Sequence, residues 1–185
     1  MIEFPRPLIG LSAYSGTGKT TLLKQLIPLL ARKNLRIGVV KHAHHNFDID
    51  HPGKDSYEAR AAGAIQVAVT SKKRIAWIKE FNDNRDEPRL ADALSVLYID
   101  NLDLVIIEGF KNEDFPKIEL HRPSLGHQLL CTDDENIVAI ATDEPVAGLP
   151  AIPQLDLNNA AEIADFIADF IGSRSTDQSL HAVKP

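Results

Sequence analysis

Along most of the chain, short apolar runs alternate with segments whose apolar residues recur every three or four positions. Runs of this length predict strands, and the three-to-four spacing predicts amphipathic helices. The first strand is predicted over residues 7–13, a helix over 19–32 and a second strand over 36–41. Pro28 predicts a kink in that helix, because proline removes a backbone donor. The alternation predicts an α/β fold with a mostly parallel central sheet.

The middle of the chain adds a short helix and a hairpin to this pattern. Asp55 is expected to cap the start of the helix, with Glu58 completing a capping box. Gly63 is expected just beyond the end of the helix. Residues 64–70 and 74–79 predict two strands joined by a tight turn. We therefore expect an antiparallel hairpin added to the sheet.

The second half returns to the alternating pattern. A helical stripe ends at Leu97, and the uninterrupted apolar run at 102–107 predicts a central strand covered on both faces. Further strands are predicted at 117–121 and 137–141, and a closing helix at 160–170. An irregular stretch over 122–135 separates these two strands, and the pattern as a whole predicts a three-layer arrangement with helices on both faces of the sheet.

Composition sets the number of domains. The chain has 185 residues, of which 44% are hydrophobic, enough for one substantial core. We predict a single domain over residues 1–172. The polar composition of residues 173–185 predicts a flexible tail.

Charge and cysteine content limit the partners and the compartment. A net charge of −6 favours neither nucleic acid nor an anionic membrane as the main partner. The apolar runs are too short to span a bilayer, and the first five residues lack the layout of a signal peptide. The single cysteine, Cys131, cannot form an internal disulfide or a cysteine-based zinc cage. The predicted compartment is the cytoplasm.

The segment from Ala13 to Thr20 matches the Walker A pattern except for alanine at its first position. Gly16 and Gly18 would let the backbone wrap a phosphate with its N–H groups pointing inward, and Lys19 would place a charge on the β- and γ-phosphates. The motif predicts binding of a nucleoside triphosphate through Ser15, Gly16, Thr17, Gly18, Lys19, Thr20 and Thr21. With the three-layer pattern, it predicts the fold of a P-loop NTPase.

A magnesium site is predicted beside this loop. Thr20 offers a hydroxyl to Mg²⁺. Glu108 directly follows the apolar run at 102–107, where P-loop proteins place a carboxylate that holds Mg²⁺ directly or through water. Both residues are predicted metal ligands, and Glu108 is also predicted to act in catalysis with Lys19.

The segment from Lys41 to Ser56 contains four of the seven histidines. This density suggests a zinc site, but the spacing of His42, His44 and His45 shows no regular pair. A loop that contacts phosphate or substrate is the second interpretation, with Asp48 as the group that approaches the γ-phosphate. A solvated polar loop is the third.

Asp143 follows the predicted strand at 137–141, where base-reading loops of such folds lie. A carboxylate there can accept hydrogen bonds from N1–H and N2–H₂ of guanine, whereas adenine has no donor at N1. Asp143 therefore favours GTP over ATP. A plain turn explains the residue equally well, because the Asn-Lys-x-Asp base motif is absent.

Taken together and in order, these features resemble a known family, the GTP-binding adaptor proteins of molybdopterin-guanine dinucleotide biosynthesis, called MobB. The histidine-rich segment followed by Pro-Gly-Lys-Asp-Ser is the most specific part. The resemblance covers most of the first 145 residues and rests on Ser15 to Leu23, Lys41-His42, His44-His45, Asp48, Asp50, Pro52 to Glu58, Arg60, Ala62 to Ala64, Glu108 to Lys111 and Thr142-Asp143.

The resemblance implies a cytoplasmic homodimer with weak GTP hydrolysis. It also implies a partner, the guanylyltransferase that attaches GMP to molybdopterin, and makes molybdopterin a candidate ligand. The proposed mechanism is a slow switch in which Lys19 holds the phosphates while Thr20 and Glu108 place Mg²⁺ for attack by water.

Two other functions fit the same residues. A small-molecule kinase would use a cationic lid, for which Arg85 and Arg89 are candidates. A carrier or adaptor could bind a nucleotide or a pterin without needing turnover. In the switch interpretation, Arg60 or Lys54 could serve as a catalytic cation once a partner docks.

Overall fold

A computed structural model describes residues 2–43, 47–83 and 85–181, with side chains up to residue 173. The helices and strands follow in the order β1 (Leu8–Ser12), α1 (Lys19–Arg32), β2 (Ile37–Lys41), α2 (Asp55–Ala61), β3 (Gln66–Thr70), β4 (Ile75–Lys79), α3 (Leu90–Ser95), β5 (Leu104–Glu108), β6 (Lys117–His121), β7 (Ile137–Thr142), β8 (Gln154–Asp156) and α4 (Ala160–His181). In this described part, no helix is both long and apolar enough to cross a membrane.

The central sheet has six strands in the order β2-β5-β1-β6-β7-β8. Every neighbouring pair in it is parallel, which confirms the predicted α/β class. Strand β1 lies between β5 and β6, so the loop that follows it emerges at the middle of the carboxyl edge of the sheet.

Both faces of the central sheet are covered. One face packs against α1 and α4 in a large apolar cluster, and the other packs against α3 and the aromatic rings of Phe110 and Phe115. Residues 104–107 of β5 are fully buried, as predicted for a strand with no polar interruption. Burying each such side chain contributes about 1.5–3 kcal/mol, so the strands that carry the site are firmly held.

The chain divides into two compact units. The sheet unit consists of residues 1–42 and 90–185, and the hairpin unit consists of residues 43–89. The predicted boundary of a single domain at residue 172 stays a prediction. The predicted hairpin is confirmed as β3 and β4, but it forms a two-stranded sheet of its own rather than extending the central sheet.

The start of α2 differs from the prediction. Asp55 is the first helical residue rather than the cap, and Lys54 occupies the cap position without a side-chain hydrogen bond. Glu58 instead accepts a hydrogen bond from the Gly53 N–H at 3.2 Å. The predicted helix end is confirmed, since Gly63 follows it with φ +108° and donates to the Arg60 carbonyl.

The last helix is longer than predicted. α4 extends to His181 rather than ending at Phe170, so part of the predicted flexible tail is helical. The apolar stripe that signals the helix ends at Ile171, which packs against the main core. Beyond it, backbone hydrogen bonding continues the helix with no apolar pattern to reveal it. Strand β8 was missed for a similar reason, because only Leu155 of its three residues is buried.

Candidate phosphate-binding site

The predicted phosphate loop connects the end of β1 to the first residue of α1. Gly16 and Gly18 have φ of +83° and +105°, which side chains adopt only at a cost. A Cβ atom at either position would meet nothing within 4 Å. These glycines are therefore required by the left-handed turn and not by lack of space. Thr17 is buried, and its hydroxyl donates to the Tyr14 carbonyl at 2.9 Å.

The amino end of α1 is open for an anion. Its cap, Gly18, has no side chain to bond the first amides, and the first turn contains no acidic residue. The unpaired N–H groups and the helix dipole therefore favour a negative group at this position. Thr20 and Thr21 in the first turn and Ser15 in the loop are exposed, so all three are accessible to a ligand.

Lys19 folds back over its own loop. Its Nζ donates to the carbonyls of Ala13 at 2.7 Å and Tyr14 at 3.2 Å. Burial lowers the pKa of Lys19, the carboxylate of Glu108 opposes this shift, and the charges of Lys111 and Lys41 add to it. Charged groups of both signs therefore act on Lys19, namely the carboxylate of Glu108 and the ammonium groups of Lys111 and Lys41.

Glu108 ends β5 beside the loop. It pairs in register with Leu11 of β1 and with Lys41 of β2, and the Lys41 Nζ lies 3.6 Å from its carboxylate. Only 14% of the Glu108 side chain is exposed. A carboxylate and the Thr20 hydroxyl are hard oxygen donors of the type that Mg²⁺ prefers, and Mg²⁺ takes its remaining ligands from water and phosphate.

A strained turn follows Glu108. Gly109 and Phe110 both have positive φ, at +100° and +52°. The His42 N–H donates to the Glu108 carbonyl at 2.8 Å, and the His42 ring lies against Phe110 with centroids 4.9 Å apart. A Cβ on Gly109 would come within 2.4 Å of the His42 Cβ. The ends of β2 and β5 are thus packed tightly at the carboxyl edge.

Asp143 follows β7 and is held by an arginine that the sequence analysis missed. Arg122, which directly follows β6, forms an ion pair with Asp143 through Nη1. Its Nε donates to the carbonyl of Thr17 in the phosphate loop at 3.1 Å, and its Nη2 lies 3.4 Å from the Asn158 Oδ1. Its position after a strand at the carboxyl edge was the signal available in the sequence.

Asp48 lies in the hairpin unit and binds Arg60 there. The Arg60 Nη2 donates to both Asp48 oxygens, at 2.9 and 2.8 Å, and its Nη1 donates to Glu80 at 2.8 Å. Hydrogen bonding to Arg60 lowers the pKa of Asp48. A role for Asp48 at the γ-phosphate stays a prediction, and Arg60 would have to leave these carboxylates to act as a catalytic cation.

The two remaining expectations concern zinc and a cationic lid. Among the described residues, no group of three or more His, Cys, Asp or Glu side chains could hold a metal ion. His44 and His45 of the zinc interpretation lie outside those residues. Arg85, a candidate for the lid, binds Asp83 and stacks over the Phe81 ring at 3.8 Å.

Comparisons with known proteins place the chain in a family. The model of the family described as MobB, molybdopterin guanine dinucleotide synthesis protein B, matches residues 8–143. The chain belongs to the MobB family. That match includes the phosphate loop, Asp48, Glu108, Arg122 and Asp143, whereas Asn158 lies beyond it.

Relatives support the assignment over most of the chain. The molybdopterin-guanine dinucleotide biosynthesis adapter protein of Escherichia coli (strain K12) is 44% identical over 89% of this chain and 93% of its own length. The protein of the same name from Haemophilus influenzae is 41% identical over 89% of both chains. The crystal structure of a MobB homologue from Bacillus stearothermophilus has a TM-score of 0.63 and 27% identity, covering 90% of this chain and 98% of that one. This MobB chain therefore shares both sequence and fold with the family.

Proposed function

We propose that this MobB protein is an adapter in the biosynthesis of molybdopterin guanine dinucleotide that binds GTP with Mg²⁺ and hydrolyses it slowly. The observation that carries the proposal is the arrangement around Lys19. The loop after β1 contains two left-handed glycines and leads into the uncapped end of α1, where Lys19 is the first residue. Strand β1 pairs with β5, which ends at Glu108. This combination provides N–H donors, a positive charge and a metal-binding carboxylate within one edge of the sheet.

The phosphates would be held by the chain's own backbone and lysine. Amides of residues 16–20 would bind the phosphate oxygens, and the Lys19 ammonium would exchange its carbonyl acceptors for the β- and γ-phosphates. Thr20 and Glu108 would hold Mg²⁺, which would neutralise part of the negative charge of the phosphates. Asp143 is the proposed contact to guanine.

Slow hydrolysis agrees with how the cations near the site are bound. The charges of Lys41 and Lys111 act on Lys19 at the loop. Arg122 contacts the loop but is paired with Asp143, and the guanidinium of Arg60 is bound by carboxylates in the hairpin unit. An arginine that stabilises the transition state of phosphoryl transfer raises its rate by orders of magnitude. A slow intrinsic rate is therefore part of the proposal, with the guanylyltransferase of the pathway as the partner and molybdopterin as a further candidate ligand.

Calorimetric titration with GTP and Mg²⁺ tests the proposal. Lys19→Ala should weaken GTP binding by at least tenfold, roughly the effect of losing a charge-assisted phosphate contact. Lys24→Ala is the matched control, because Lys24 is an exposed lysine on the same helix. This control should bind GTP like the wild-type chain.

Two results would contradict the proposal. Wild-type protein that binds neither GTP nor ATP at millimolar concentration with Mg²⁺ would exclude a nucleotide site. Equal binding by the Lys19→Ala variant would show that the loop does not hold the phosphates. Phosphorylation of an added acceptor instead of water would favour a kinase.

A further inference from the structure

Arg122 links four segments that are far apart in sequence. It is the first residue after β6, and its guanidinium contacts the phosphate loop at the Thr17 carbonyl, Asp143 after β7 and Asn158 after β8. The planar guanidinium holds five donors in a fixed fork and can reach partners on different sides, whereas the three donors of a lysine ammonium all lie on one nitrogen atom. The contacts make Arg122 the connection between the loop that would hold phosphates and the loops that would face a base.

The topology explains why these loops meet. Strands β6, β7 and β8 are parallel neighbours, so the residues that follow them lie at one edge of the sheet. In open α/β sheets, ligands bind outside the carboxyl ends of the strands. The backbone N–H of Asn158 donates to Asp156 Oδ1 at 2.8 Å, which fixes the turn that presents the Asn158 side chain.

The two carboxylate oxygens of Asp143 differ in their hydrogen bonding. Arg122 takes one oxygen of Asp143, whereas the other, Oδ1, is buried and has no hydrogen-bond partner among the described residues. A buried acceptor without a donor is costly, so such atoms call for an explanation. A donor on a ligand would remove this cost if the turn after Thr142 shifted to admit it.

We propose that Arg122 is a positioning residue for base selection, which holds Asp143 and Asn158 in register with the phosphate loop so that guanine is preferred to adenine. This inference rests on the proposed binding of GTP. The Asp143 carboxylate accepts hydrogen bonds from N1–H and N2–H₂ of guanine, and the side-chain NH₂ of Asn158 donates to O6. Arg122 does not touch the base and acts through these two side chains.

Binding of three ligands, each with Mg²⁺, separates base selection from phosphate binding. The ligands are GTP, ATP and inorganic tripolyphosphate, which has the phosphates without a base. Arg122→Ala should lower the preference for GTP over ATP about tenfold, because a well-placed polar contact contributes roughly a factor of ten in binding. Binding of tripolyphosphate should change less than about threefold, since the loop amides and Lys19 remain.

Three further variants complete the design. Arg122→Lys should restore only part of the preference, because the compact ammonium of lysine lacks the fixed fork of donors that spans the three partners. Asn158→Ala should lower GTP binding without affecting tripolyphosphate, and it keeps the proposal testable if Arg122→Ala does not fold. Arg36→Ala is the matched control. It removes a second arginine–aspartate pair, Arg36 with Asp103, at the opposite edge of the same sheet.

Each outcome bears on a different claim. Equal loss of GTP, ATP and tripolyphosphate binding in Arg122→Ala would overturn the inference, because Arg122 would then support only the phosphate loop. An unchanged preference for GTP would overturn it as well. Wild-type protein that binds tripolyphosphate but shows no preference between GTP and ATP would exclude base selection while leaving the phosphate site in place. Failure of the wild-type chain to bind any of the three would reject the proposed function itself.

Discussion

At the scale of single residues, Cys131 has an environment that suppresses its chemistry. The residue is buried, and Glu119 accepts a hydrogen bond from its backbone N–H at 2.8 Å. Burial raises the pKa of the Cys131 thiol to about 11, and the negative charge of Glu119 adds to the shift. The thiolate is the reactive form of cysteine, so this thiol should be inert at neutral pH.

We predict that Cys131 in the folded protein reacts with a thiol reagent at least about 100-fold more slowly than in the unfolded chain at pH 8, since each pKa unit changes the thiolate fraction about tenfold. Absorbance during reaction with a disulfide reagent measures the rate. The same protein in guanidinium chloride is the control, and equal rates would contradict the assigned burial.

The same pKa shift predicts a pH dependence of stability. The folded state favours the neutral thiol, so the unfolded chain loses its proton first as pH rises. The contribution of Cys131 to the free energy of unfolding should be intact below the ordinary thiol pKa and decline between that value and about 11. Denaturant unfolding of the wild-type chain and of Cys131→Ser across this range gives the difference between their free energies of unfolding. This difference should decrease as pH increases.

At the scale of elements, the turn after β5 has two separate requirements for glycine. Gly109 combines φ of +100° with a close approach to His42, whereas Gly148 has φ of +74° and nothing within 4 Å of the position of a Cβ. The two positions therefore differ in packing and share the backbone requirement.

Gly109→Ala should destabilise the protein by clearly more than Gly148→Ala. A left-handed residue other than glycine costs about 1–2 kcal/mol, and only at residue 109 is a clash with His42 added. Urea unfolding of both variants gives the two free energies. Similar losses would show that His42 moves away at little cost.

Much of the fold could be predicted at this scale because its signals are local. The uninterrupted run ending at Ile107 and the helix predicted to begin at Lys19 depend on neighbouring residues alone, and they are confirmed as β5 and α1. The network of Arg122 could not be predicted, since it joins residues up to 105 positions apart. The prediction for the capping of α2 was wrong, because Glu58 accepts a hydrogen bond from Gly53 rather than completing a capping box with Asp55.

At the scale of the whole molecule, the hairpin unit lacks a core. None of its described residues is buried. Several of its large apolar side chains are more than 40% exposed, namely Phe47, Ile49, Ile65, Val69, Ile75, Trp77 and Phe81. An isolated two-stranded hairpin is marginally stable in water, and clustered exposed apolar groups mark association surfaces. These features agree with the homodimer that the resemblance to the family implies, and we predict that β3 and β4 form its contact.

Ile75→Lys should therefore weaken self-association. Ile75 is 72% exposed and lies directly opposite Thr70 in the hairpin, so a charge there would be buried without a partner in a dimer. Light scattering after size-exclusion chromatography gives the mass. Val96→Lys, at an apolar residue 50% exposed in the sheet unit, is the control. A dimer that survives Ile75→Lys would place the contact elsewhere.

The central position of β1 has a consequence for how the protein is made. Its partners β5 and β6 begin at Leu104 and Lys117, about a hundred residues further along the chain. During synthesis the Walker A segment leaves the ribosome early, but both edges of β1 stay open until these later strands emerge. A nascent chain that stops before Lys117 should thus contain the motif without binding a nucleotide, so ligand binding has to wait until well over half of the chain has been synthesised.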